Sequence, residues 1–81
     1  MIYHWESPVG AFAIWLDHDK GKWALSTRDG TLGHYEHPAQ AADHVRERST
    51  GFTLWDEYDR NFAAPIDLSG WEADNDPEPS R

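Results

Sequence analysis

The sequence predicts an α+β fold: a three-stranded antiparallel β-meander packed on one α-helix (βββα), with a C-terminal aromatic segment covering the sheet. Three observations carry this reading. Short runs of alternating apolar residues are punctuated by turn residues, among them Asp29-Gly30. A stripe of small apolar residues at helical spacing follows Pro38, and an aromatic, aperiodic stretch follows Gly51. The 81 residues make one small domain over 1–71, followed by a disordered acidic tail over 72–81.

Tyr3 to Pro8 reads as an extended lead-in, and the first strand spans about 10–16. There Phe12, Ile14 and Leu16 alternate with Ala11, Ala13 and Trp15, giving one bulky face and one that is small except for Trp15. Asp17-His18-Asp19-Lys20-Gly21 is polar, ends in glycine and makes a turn. The second strand covers about 22–28. Asp29-Gly30 then predicts a two-residue type I′ turn, because both positions tolerate the left-handed conformation that turn requires. In that register Leu25 faces His34 and Trp23 faces Glu36. Trp23, Leu25, Leu32 and His34 share one face; Ala24, Ser26, Gly33 and Tyr35 share the other.

The third strand covers about 31–36. Pro38 suits a first helical position, and Gln40 is placed to bond back to a weak cap at His37. The helix runs over about 38–49, with Pro38, Ala41, Ala42 and Val45 on its apolar stripe and Thr50-Gly51 as its stop. The wrapping segment, 52–71, is expected to press Trp55, Ile66, Leu68 and Trp71 onto the sheet face that the helix leaves uncovered.

Charge is uneven. Residues 1–51 carry seven acids and five bases; residues 52–81 carry eight acids and two bases, most of the net −8. Such a chain repels nucleic acid and anionic membranes and favours basic partners. No cysteine is present, so disulfides and thiolate chemistry are excluded. No apolar run of spanning length and no basic-then-apolar leader occurs, making a cytoplasmic, non-membrane protein the expectation.

Catalytic motifs are absent: Ser26, Ser49 and Ser69 sit in no nucleophile elbow, and no glycine-rich phosphate cradle occurs. His34, His37 and His44 lack a metal-ligand spacing, and Asp17 to Gly21 is one residue short of a calcium loop. The expectation is no enzyme activity, no cofactor and no metal. The aromatics Trp15, Trp23, Tyr35, Trp55 and Tyr58 are the candidate binding residues of a small protein-interaction module or regulator whose partner is a protein.

Gly21-Lys22-Trp23-Ala24-Leu25-Ser26, Leu32-Gly33-His34-Tyr35 and Pro38-Ala39-Gln40-Ala41-Ala42 together resemble the three-stranded-sheet-plus-helix module of AP2 and integrase-arm DNA-binding domains, over about residues 9–50. The resemblance implies an alternative function, reading DNA through the sheet, with Lys22, Trp23 and Arg28 at the contact positions. That family's other basic contact residues are missing, and Asp17, Asp19, Asp29 and Glu36 surround those three. Since phosphate contacts depend on Lys and Arg, protein binding is the leading expectation.

Overall fold

Strand alternation begins at Ile2 rather than Gly10. The computed structural model describes residues 2–74. In chain order it contains β1 (Ile2–Ser7), β2 (Gly10–Asp17), β3 (Lys22–Thr27), β4 (Gly30–Tyr35), α1 (Pro38–Glu47), α2 (Thr53–Asp56), a 3₁₀ turn (Leu68–Gly70) and β5 (Glu72–Asp74). The fold is α+β with an antiparallel sheet, but the sheet has five strands, ordered β4-β3-β2-β1-β5, rather than three.

The two additional strands come from segments read as non-strand. Ile2 to Ser7 hairpins onto β2, with Trp5 opposite Phe12 and Ser7 opposite Gly10. A Pro8-Val9 turn closes that hairpin; the Val9 N–H donates to Ser7 Oγ at 3.1 Å, and Gly10 supplies φ 125°. Glu72–Asp74, assigned from sequence to the disordered tail, instead pairs with β1, Ala73 lying opposite Tyr3. The remainder of that tail, 75–81, lies outside the described residues.

The register of the β3–β4 hairpin also differs from expectation. Thr27 pairs with Gly30, so Arg28 and Asp29 form the turn, and neither has positive φ. A type I′ turn is therefore excluded; Gly30, at φ 135°, absorbs the unusual backbone instead. Leu32 is an extra residue, because Ser26 faces Thr31 while Leu25 faces Gly33. That bulge exchanges the faces of β4: Gly33 and Tyr35 join Trp23 and Leu25, and His34 joins Ala24.

Helix α1 starts at Pro38 as expected, with Gln40 Oε1 accepting the His37 N–H at 3.1 Å. It ends at Glu47 rather than at 49. Arg48 takes the left-handed cap conformation, φ 61°, ahead of the expected Thr50-Gly51 stop. Ala41, Ala42 and Val45 are buried against Phe12, Ile14 and Leu25, so the alanine stripe lets the helix settle closely on β2, β3 and β4.

The segment beyond Gly51 does not cover the opposite sheet face; it packs beside α1 on the same one. Trp55 and Trp71 belong to the same core as Ala41 and Val45, with Trp5 packed between them, edge-on to Trp55 and tilted to Trp71, at ring-centre distances of 5.2 and 6.0 Å. The reason is width. A helix contributes a stripe about 10 Å across, whereas five strands at about 4.8 Å spacing leave the β1–β5 side exposed. Two indoles fill that gap. Ile66, expected in the core, is 79% exposed, while Leu68 is half-buried against the core. No helix among the described residues is long and apolar enough to cross a membrane.

Candidate functional site: the open sheet face

Side-chain alternation assigns each strand residue to one of two faces. The covered face holds Tyr3, Trp5, Phe12, Ile14, Leu16, Trp23, Leu25, Gly33 and Tyr35. The other presents Ile2, His4 and Glu6 from β1, Ala13, Trp15 and Asp17 from β2, and Lys22, Ala24 and Ser26 from β3. His34 of β4 and Glu72 and Asp74 of β5 extend it to both edges. Among the described residues no helix or loop crosses this second face.

Trp15 is its centre. Its Nε1–H donates to Ser26 Oγ at 2.9 Å, so an indole rooted on β2 is tied to β3. Ala24, the cross-strand partner of Trp15, is fully buried yet stands apart from the continuous core under the helix. The indole therefore reaches from β2 towards β3 beside Ala24 and stays partly exposed on this face.

Carboxylates border this platform. Glu6, Asp17, Glu72 and Asp74 belong to the face, and Glu36 joins it from just beyond β4 through a 2.5 Å bond from Lys22 Nζ. Lys22 is the face's one Lys or Arg among the described residues. His4 Nε2 lies 3.5 Å from Asp74, and His34 Nε2 lies 3.2 Å from Asp17. Burial works against ionisation of Asp17, but bonds from His34 and from the Asp19 and Lys20 N–H groups outweigh it and hold the carboxyl below its ordinary range. Glu36 is lowered chiefly by the hydrogen bond from Lys22 and by its charge. Both carboxyls are thus anionic at neutral pH and poor proton donors.

A depressed folded pKa adds stability that is fully present above the ordinary carboxylate value and is lost as pH falls through the folded value. Asp17→Asn is therefore expected to lower the melting temperature at pH 7. The difference from the parent should shrink below about pH 4. Thermal melts across pH 2–7 check this; a constant difference would refute it.

The five aromatic candidates separate sharply. Only Trp15 reaches the open face. Trp23 is half-buried on the covered face, its ring 6.2 Å from that of Tyr3. Tyr35 lies on that same side beneath His44, ring centres 4.9 Å apart, and its hydroxyl is pushed up by burial and by the Asp56 charge. Trp55 is fully buried, with its Nε1–H on the Val45 carbonyl, and Tyr58 stacks against it at 6.2 Å. Lys22, Trp23 and Arg28, the positions implied by the DNA-binding resemblance, share no face: Lys22 is on the open side, Trp23 on the covered side, and Arg28 at the hairpin tip.

A cleft of about 360 Å³ opens between the β4 edge and α1, lined by Tyr35, Glu36, Asp43, His44 and Glu47. Its charges are largely matched within the chain, since Arg46 lies 3.7 Å from Asp43 and 3.6 Å from Glu47. No three metal-ligating side chains converge among the described residues. Local sequence patterns do not reveal the open face, because they leave undetermined that the helix and the aromatic segment share one side of the sheet. Trp15, the one large residue on the small side of β2, was the available signal.

Comparison with family profiles, with curated proteins and with solved structures finds no match to this chain.

Proposed function

We propose that this protein is a small acidic, non-catalytic interaction module that binds another protein through the open face of its sheet. One observation carries the reading: a half-buried tryptophan lies at the centre of a sheet face that no other described element covers. Flat surfaces with an aromatic centre and a polar rim are the usual anatomy of protein interfaces. The carboxylate border suits a basic partner, and the ionised state of Asp17 and Glu36 suits electrostatic steering rather than proton transfer.

The test is capture with tagged protein alongside Ala13→Arg, which places a long cation on the open face. A stoichiometric partner held by the parent and lost by the variant is expected. A partner held equally by both would overturn the use of this face, and repeated failure of the parent to hold any partner would overturn the module.

A second reading, DNA binding through the sheet, gains from the same openness, because an uncovered sheet is what the AP2-like resemblance requires. Five carboxylates against Lys22 oppose it. Salt-sensitive retention on heparin or on a mixed-sequence duplex would favour this reading over protein binding.

A further inference from the structure

We infer that the partly exposed ring of Trp15 receives a guanidinium, so the partner docks an extended segment bearing arginines across β2, β1 and β5. This rests on the open face being the protein-binding surface and adds the chemistry of what is bound there. The indole N–H is already used by Ser26, so the ring has no donor left to offer. What remains is a partly exposed π system tethered to the open face, which attracts a cation placed over it. The Asp17 carboxylate, two residues along on the same side, is fixed by His34 and the Asp19 N–H and adds a permanent negative charge beside the ring. Arginine fits better than lysine because a planar, weakly hydrated guanidinium can stack on the indole.

A second position lies further across the sheet. His4 pairs across strands with Glu72, and Glu6 follows two residues later on the same face. Neither glutamate has a hydrogen-bond or ion-pair partner among the described residues, and both line a groove of about 250 Å³ that opens at the β1 edge where β5 begins, with Trp5 and Gly70 on its far side. From Trp15 on β2 to Glu72 on β5 is two strand spacings across and two residues along, about 12 Å. An extended peptide covers that distance in about four residues, which also returns its side chain to the same face. The surface thus matches two arginines at i and i+4 of an extended segment.

The experiment is fluorescence anisotropy with a fluorescein-labelled Gly/Ser peptide bearing two arginines four residues apart, beside lysine and glutamate versions. The arginine peptide is expected to bind most tightly and to weaken with salt. Trp15→Ala should weaken it about tenfold, and Glu6→Gln with Glu72→Gln about threefold. Glu57→Gln removes an exposed carboxylate on another part of the molecule and should change binding less than twofold. Ala13→Arg, which keeps the ring and adds a like charge beside it, should also weaken binding and guards against misfolding of Trp15→Ala as the cause. Unchanged affinity in Trp15→Ala, or an equal loss in Glu57→Gln, would overturn the platform in favour of net charge. If the glutamate peptide binds instead, the guanidinium assignment fails while protein binding through this face stands.

Discussion

A chain ending at Gly51 is expected to lose cooperative unfolding, although it keeps β1 to β4 and the whole of α1. Trp55 is fully buried and Trp71 is 5% exposed, and Trp5 packs between them on a sheet that α1 is too narrow to cover. Fully burying one large apolar side chain contributes about 1.5–3 kcal/mol, and Trp→Ala in a core costs about 3–5 kcal/mol. A chain of this size has only about 4–12 kcal/mol of total stability. Losing both indoles, Ala64 and the β5 edge therefore removes most or all of it. Trp55→Ala alone should cost about 3–5 kcal/mol, because it also strips the Val45 carbonyl of its indole donor. Ile66→Ala, at a position 79% exposed, should stay within about 0.5 kcal/mol. Urea unfolding followed by near-ultraviolet circular dichroism distinguishes these cases. A truncated chain with the full midpoint would show the aromatic segment to be dispensable.

Arg48→Lys is expected to destabilise by about 2–4 kcal/mol, unusually much for the exchange of one cation for another. The Arg48 guanidinium donates to the carbonyls of Trp55 at 3.2 Å, Tyr58 at 2.5 Å and Asp59 at 2.9 Å, and to that of Phe62. It also lies 4.2 Å from the centre of the Trp55 ring. A planar fork satisfies four carbonyls of an irregular chain that has few ladder bonds of its own; an ammonium has three donors and no plane. Bonds to a charged donor contribute about 1.5–3 kcal/mol each when nothing replaces them, and water replaces the outer ones here. The backbone separates two possible roles for this residue. At φ 61° a glycine would relieve about 1 kcal/mol of strain. Arg48→Gly should nonetheless be destabilising by about 1–3 kcal/mol, because it discards the carbonyl bonds. Increased stability in the glycine variant would mean that the residue only caps the helix.

These effects meet in the short connection between the elements. Asp56 accepts from the Thr50 N–H at 3.1 Å, the Thr50 hydroxyl at 2.8 Å and the Gly51 N–H at 2.8 Å. The chain therefore turns sharply after α1 and runs back over the face the helix already occupies. This local bonding keeps the aromatic segment beside the helix and leaves the Trp15 side of the sheet to solvent.

The one-dimensional pattern determined the elements whose signals are local. Period-two alternation gave β2 and β3, the Pro38 start and alanine stripe gave α1, and the reciprocal bond from Gln40 follows from its spacing. Trp15 also stood out, as the single large residue on a strand face otherwise made of alanines. Three features were decided only in three dimensions. The β4 faces depend on one extra residue at Leu32, which a strict hairpin rule cannot anticipate because a bulge and a regular pair share the same composition. β5 exists because Trp71, anchored in the core beside Trp5, delivers Glu72–Asp74 to the open edge of β1; three acidic and small residues carry no strand signal of their own. The side taken by residues 52–71 depends on the width of a five-stranded sheet relative to one helix. Residue patterns report which side chains leave water, whereas which of two faces they bury is settled by the space their neighbours leave.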